Sequence, residues 1–417
     1  MAREDQSPPR AGARRKSRAA VVARWCLLLL AGWPGAAPGS AAGPSAAIPK
    51  TRGFAYFRED LPKGPWAIHV IKIDRSNPDF ELHTTLGGGT RMAMANLSEQ
   101  IKLMPPQLGR PVAAVNGDFY RNDAPYAGDP KGLQIMRGEL VSAPCGWSCF
   151  WIDPAGQPQI TNVVSHFEVA WPNGTRLPVG LNEERAAAAA VLYTAATGSS
   201  THTVGGVEWI LEAAGSGPWL PLSASQTYAA RVREVRRQGN APLSADTLVL
   251  SLGPQVAAKA PEAPPGTLLA VSTQTQPALN GVRTALSGGP VLVRGGQPVA
   301  GLDAGVRHPR TAVGWNQEYL FLVEVDGRQI NLSVGMTWRE LADYLVKLGC
   351  VEGMNLDGGG SATCWVYGQV MNNPSEGRER PMANALVLVR KNGHEARNGN
   401  PAVPAALPQD TPPPPAK

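Results

Sequence analysis

Hydrophobic and polar residues alternate over several short stretches: Trp66 to Ile73, Val112 to Val115, Thr247 to Leu252, Leu268 to Ser272, Tyr319 to Val325 and Ala385 to Val389. Successive side chains of an extended chain point to opposite faces, so this period predicts half-buried strands separated by Gly, Pro and Asn/Asp turns. The Asp326-Gly327 pair that closes Tyr319 to Val325 reads as a hairpin signal. Helical spacing is confined to two windows. Over Trp338 to Leu348, Leu341, Leu345 and Leu348 fall on one face, Thr337 and Glu340 form a capping box, and Gly349 supplies the stop. A short strand over Val351 to Leu356 is expected to follow. The second helix is placed at about Leu97 to Leu103, just before a strand over Pro111 to Val115. No fixed-period repeat is visible, which argues against a solenoid or propeller. The pattern predicts an α+β fold: mixed β-sheets with a few packed helices, and glycine-rich loops at strand ends forming the site. The stretch from about 155 to 280 gives no position in that fold.

Composition agrees with a folded, turn-rich protein. Of 417 residues, 43% are hydrophobic and 17% charged, with 46 Gly and 39 Pro but only 6% aromatic side chains. The net charge of +6 points toward an acidic partner until its placement is considered. Seven of the basic residues (Arg3, Arg10, Arg14, Arg15, Lys16, Arg18 and Arg24) lie in the first 47 positions, and without that segment the charge is close to zero. Nucleic-acid binding, which needs a basic face on the folded domain, is therefore not expected. The same segment has a basic start, an apolar run from Trp25 to Trp33, and small residues through Ser40, Ala41 and Ala42. It reads as a secretory signal, with a membrane anchor only if it stays uncleaved, and places the protein in a secreted, periplasmic or extracellular setting. Residues 1–47 are thus signal and linker, 48–397 the folded domain with a core at about 54–391, and 398–417 a Pro/Ala-rich disordered tail. After the signal, Cys145, Cys149, Cys350 and Cys364 remain. An even number in an exported chain predicts two disulfides, with Cys145–Cys149 and Cys350–Cys364 preferred over the other pairings. Their spacing does not suit zinc, and no metal ligation is expected of them.

Five polar segments carry the candidate chemistry. In Asn355-Leu356-Asp357-Gly358-Gly359-Gly360-Ser361, glycines after a buried strand allow backbone N–H groups to converge on an anionic oxygen, while Asn355, Asp357 and Ser361 add side-chain chemistry. Ser287-Gly288-Gly289-Pro290 is a second glycine turn. His308-Pro309-Arg310-Thr311 sets a guanidinium fork two residues from an imidazole. Asn116-Gly117-Asp118-Phe119-Tyr120 follows a strand, and Asn373-Pro374-Ser375-Glu376-Gly377 precedes Arg380, Asn384 and the last strand. Each alone could be turn chemistry.

Together these segments resemble the phosphodiester glycosidases. The resemblance rests on NLDGGGSAT at 355–363, the preceding GMTWRELADYLVKLG, HPRTAVG at 308–314, SGGP at 287–290, VNGDFY at 115–120, and NPSEG followed by RPMANAL. LYT at 192–194 and the surroundings of Glu208 are less specific. The resemblance covers roughly residues 54–391 and implies a hydrolase acting on sugar 1-phosphodiesters, N-acetylglucosamine-like, in exopolysaccharide or cell-wall glycopolymers. It implies Asp357 as the catalytic carboxylate, with Asp118 second. Asn116, Ser287, Gly288, Gly289, His308, Arg310, Thr311, Asn355, Gly358 to Ser361, Ser375, Arg380 and Asn384 would bind substrate and phosphate. Cleavage at the anomeric carbon passes through an oxocarbenium-like state that a carboxylate stabilises, and a phosphate leaving group asks little of a general acid. No cofactor is required. Two other readings remain: a non-catalytic module binding anionic glycans, and a phosphodiesterase using a divalent cation on Asp118, Asp357 and His308.

Overall fold

The computed structural model describes residues 53–392. The expected signal, linker and Pro/Ala-rich tail lie outside these residues. Among the described residues no helix is long and apolar enough to cross a membrane.

The α+β expectation does not hold. The described residues form 24 strands and three short α-helices, Leu97–Lys102, Pro254–Ala257 and Trp338–Lys347, so the fold is mostly β. In the middle region the expected strands are present as Leu248–Leu252 and Leu268–Gln276, but the pattern missed Pro158–Ala170, Val207–Ala213 and Thr227–Arg236, which join them in one twelve-stranded sheet. Some pair with sequence neighbours, as Val207–Ala213 does with Thr227–Arg236, and some with distant segments, as Leu268–Gln276 does with Pro158–Ala170. Thr227–Arg236 and Leu268–Gln276 alternate between buried and exposed positions over most of their length.

Two smaller sheets frame the site. The first has seven strands, in the order Phe54–Leu61, Trp66–Asp74, Tyr319–Val325, Arg310–Trp315, Glu352–Asn355, Val291–Arg294 and Gln297–Pro298. The second has five, in the order Gln369–Val370, Cys364–Val366, Arg110–Asn116, Ala385–Arg390 and Phe80–Thr84. Ile71, Val313, Leu322 and Met354 of the first share one core with Val115, Cys364, Leu386 and Leu388 of the second and with Phe150, Ile160 and Leu286 of the large sheet. Each fully buried side chain of this size contributes about 1.5–3 kcal/mol.

Helix Trp338–Lys347 forms as its sequence dictates. The Thr337 hydroxyl accepts from Glu340 N–H, the Glu340 carboxylate accepts from Thr337 N–H at 2.9 Å, and Leu341 and Leu345 bury against the seven-stranded sheet. The hairpin expected at Asp326-Gly327 is not there. Tyr319–Val325 makes its hairpin at its other end, with Arg310–Trp315, where Asn316 Oδ1 accepts from the N–H groups of Glu318 and Tyr319. Asp326 instead turns inward.

The expected disulfides are also absent, and all four cysteines are free thiols. Cys145 and Cys149 lie on a single strand, Cys145–Ile152. At about 3.3 Å of rise per residue, four residues of extended chain exceed the roughly 7 Å Cα limit of a disulfide. Cys350 closes the helix, and the chain runs away from it along Glu352–Asn355 before entering the strand of Cys364 in the other sheet. Buried Glu208, in the less specific part of the resemblance, accepts from Thr201, Thr203, Ser251 and Ala241 N–H and holds the large sheet together.

Candidate active site

The chain passes from the seven-stranded to the five-stranded sheet through residues 356–363, and the site lies at this crossing. Register brings the other segments to it: Ala312 pairs with Asn355, Ala385 with Asn116, and Cys364 with Val115. Asn116 fastens the crossing. Its Nδ2 donates to Asp357 O at 2.7 Å, and its Oδ1 accepts from the Thr311 hydroxyl at 2.6 Å and from Thr363 N–H at 3.2 Å. Leu356 N–H donates to Thr311 O and Asp357 N–H to Gly117 O, so the loops of Asp118 and Asp357 are held side by side.

The two carboxyl groups have different environments. Asp118 is buried, with Oδ1 accepting from Phe119 N–H at 2.7 Å and Oδ2 without a protein partner. Its own N–H donates to Asn384 Oδ1 at 2.7 Å, and Asn384 Nδ2 donates to Gln134. Burial, with the neighbouring Asp357 charge adding to it, pushes the Asp118 carboxyl well above its ordinary 3.8. Asp357 is half-buried and accepts from Gly358 N–H at 2.8 Å. Burial raises its pKa too, but the Ser361 hydroxyl, Gly358 N–H, Arg380 and Lys131 oppose the rise. Asp118 therefore keeps its proton to higher pH than Asp357, the order of titration an acid/base pair requires. Ser361 Oγ faces both Asp357 and Tyr120 without a well-formed bond to either.

A stability prediction follows, since each carboxyl titrates higher in the folded than in the unfolded chain. Such a group binds more protons when folded, so its contribution is present at low pH and is lost as pH rises from about 3.8 through the folded value. Asp118→Asn removes the larger of these losses, and its melting temperature should fall less than that of the wild type between pH 4 and 8. Parallel curves for the two proteins would contradict a raised Asp118.

Basic groups rim the carboxyl pair. Arg380 is paired with Glu376, and the pair lies against Gly360, where an added Cβ would sit 2.2 Å from Arg380 Nη2 and leave no room. Arg328 reaches to within 3.3 Å of His308 Nδ1 and lies over Gly359. Burial and the charges of Arg310 and Arg328 hold His308 below its usual range, so it is neutral at pH 7. Ser375 Oγ and Asn355 Oδ1 are further buried polar atoms without protein partners.

The expected phosphate cradle is only partly assembled. Arg310 points away, its Nε donating to Met336 O at 2.8 Å, its Nη2 to Val306 O, and its plane lying over Trp338. Burial draws its pKa down to about 10. Gly288 N–H is taken by Ser148 O, Gly289 N–H by Asn355 O, and Gly359 N–H by Pro309 O. Ser287 is buried, its Oγ accepting from Leu133 N–H, and serves the fold. An added Cβ on Gly288 would meet Asn355 O at 2.6 Å, so that glycine allows close approach and not anion binding. Thr311 and Asn384 likewise act by positioning Asn116 and Asp118. Arg328 and Lys131 had not been singled out. Arg328 follows the Asp-Gly pair read as a hairpin, and Lys131 sits in the turn-rich Gly128-Asp129-Pro130-Lys131-Gly132. Among the described residues Asp118, Asp357 and His308 form no group close enough to share a metal; His69, Glu324 and Asp326 do.

Residues 232–389 match the family model for phosphodiester glycosidases, a stretch holding every site segment except that of Asn116 and Asp118. Over these residues the chain is of the phosphodiester glycosidase type. It is 33% identical over 114 residues to the SPbeta prophage-derived uncharacterized protein YomE of Bacillus subtilis strain 168, covering 26% of this chain and 18% of that protein. It is 41% identical over 68 residues to N-acetylglucosamine-1-phosphodiester alpha-N-acetylglucosaminidase of Bos taurus, covering 16% and 12%. The matched stretches thus span less than a fifth of either relative. Two solved structures share the fold. A hypothetical protein from Synechocystis superposes with a TM-score of 0.63 at 20% identity, covering 81% of this chain and 62% of that one. A protein from Burkholderia pseudomallei K96243 does so at 0.60 and 24%, covering 78% and 74%. Asp357, Arg328 and Arg380 lie inside the stretch matched by the phosphodiester glycosidase model, and the segment of Asp118 and Tyr120 reaches Asp357 and Arg380 from outside it.

Proposed function

We propose that the protein is an exported hydrolase that breaks the bond between the anomeric carbon of an N-acetylglucosamine-like sugar and a phosphodiester, in exopolysaccharide or cell-wall glycopolymer. The observation that carries this reading is the Asp118–Asp357 pair, held side by side with the Asp118 carboxyl pushed up the further of the two, beside Arg328 and Arg380. Asp357 stabilises the oxocarbenium-like transition state and takes a proton from the attacking water. The C–O bond breaks toward phosphate, Arg328 and Arg380 stabilise the leaving phosphomonoester, and neutral Asp118 can return a proton to its oxygen. Export rests on the composition of the N-terminal segment.

This reading assigns Arg328 a role that Arg310 lacks. Arg328→Ala should lower kcat/KM on a sugar 1-phosphodiester by about a hundredfold, the order of loss for one transition-state donor. Thermal stability should hardly change, because the side chain is exposed. A steady-state comparison with Arg307→Ala, a surface arginine paired with Glu340, checks it. Equal, small losses in both variants would remove Arg328 from the site.

A further inference from the structure

Below the glycine crossing, His69, Glu324 and Asp326 are buried at 0, 0 and 1% exposure. His69 and Glu324 face each other in register across two strands of the seven-stranded sheet, and Asp326, two residues on, returns to the same face. One ligand atom from each lies within 4.8 Å of the other two. His69 Nε2 is 3.4 Å from Asp326 Oδ2, and its Nδ1 is tied to the Tyr56 hydroxyl at 2.9 Å, which aims Nε2 at the carboxylates. Asn372 Nδ2 donates to Glu324 Oε1 at 3.1 Å and to Asp326 Oδ1 at 3.3 Å, and Asn373 N–H donates to Asp326 Oδ1 at 2.8 Å. The fourth carboxylate oxygen position, Glu324 Oε2, is buried with no protein partner.

Two adjacent carboxylates answered by amides and an imidazole, none with a fixed positive charge, are costly to bury as anions. Either a proton or a cation must neutralise them. One imidazole nitrogen and two carboxylate oxygens, each held by an outer hydrogen bond, are the ligand types and the supporting shell of a first-row divalent ion. We propose that His69, Glu324 and Asp326 bind one zinc-type divalent ion that fastens the loops around the glycine crossing. The elements around it explain the placement. Asp326 begins the loop that carries Arg328, and Asn372 and Asn373 lead into the turn of Ser375, Glu376 and Arg380. Asn372 also accepts from Cys364 N–H and donates to Ala362 O, at the end of the glycine crossing. One ion thus joins both basic arms of the site to its floor, without touching substrate.

Metal content of the full chain tests this independently of any activity. Inductively coupled plasma mass spectrometry should find about one equivalent of a first-row metal in the purified protein, or after unfolding in chelator and refolding with zinc or manganese. In Glu324→Gln and His69→Gln, treated alike, content should drop below about a tenth of an equivalent. Should these variants not fold, metal-edge X-ray absorption of the wild type decides, with nitrogen and oxygen ligands including one imidazole expected. Less than a tenth of an equivalent in the wild type under every condition would overturn the site in favour of a shared proton. Full metal content in the folded variants, or sulfur ligation at the edge, would overturn it by placing the ion elsewhere.

Discussion

Asp357→Asn is expected to lower kcat by about 10²–10⁴, the range for loss of a positioned acid/base group, while the protein stays folded. The substitution keeps an oxygen that can accept from Gly358 N–H and removes the charge that sits beside Arg380, Lys131 and the Ser361 hydroxyl. Because burial already opposes that charge, the neutral amide should not lower the melting temperature near pH 7, and a small rise is expected. Steady-state kinetics and a thermal scan on one preparation separate the two effects. Full turnover in this variant would remove Asp357 from the chemistry, and a collapsed melting temperature would make it a structural residue.

The second large effect concerns the rivet. Asn116→Leu replaces a buried amide of similar volume and strands three buried groups at once: the Thr311 hydroxyl, the Thr363 N–H and the Asp357 carbonyl. Each unsatisfied buried group costs about 1–3 kcal/mol, so the variant should be destabilised by about 3 kcal/mol or more. Denaturant unfolding reads this directly. Activity should fall too, since Asn116 holds the backbone of Asp357, and Asn116→Asp should not restore it because a carboxylate cannot donate to Asp357 O. A loss below about 1 kcal/mol would mean that the two sheets are fastened elsewhere.

The elements legible in the sequence are those whose signals are local. The helix at Trp338–Lys347 announces itself through its capping box and leucine spacing, and Tyr319–Val325, Glu352–Asn355 and Ala385–Arg390 are short, buried and bounded by turn residues. The balance of the fold was not legible. Leu248–Leu252 and Leu268–Gln276 could be read as strands, but their joining with Pro158–Ala170, Val207–Ala213 and Thr227–Arg236 into one large sheet is set by pairings such as Leu268–Gln276 with Pro158–Ala170, which no local signal announces. The cysteines misled for a related reason: even number and export argue for bridges, but only the strand geometry shows that Cys145 and Cys149 cannot meet. In the site, residue type singled out polar segments that the structure brings to one crossing, and could not tell which side chains turn inward. Arg310 looked like the phosphate ligand by its neighbours in sequence, yet strand alternation sends Thr311 to Asn116 and Arg310 to Met336, Val306 and Trp338. Arg328 was hidden by an Asp-Gly pair whose aspartate turns inward instead of making a hairpin.

The central claim, cleavage at the anomeric carbon, is tested most directly by phosphorus NMR of the protein with an N-acetylglucosamine 1-phosphodiester in oxygen-18 water. Attack of water at carbon leaves every phosphate oxygen unlabelled and puts the heavy oxygen in the released sugar, which is the result expected here. Heavy oxygen in the phosphate would mean that the P–O bond breaks, and would contradict the assignment of Asp357 to the sugar.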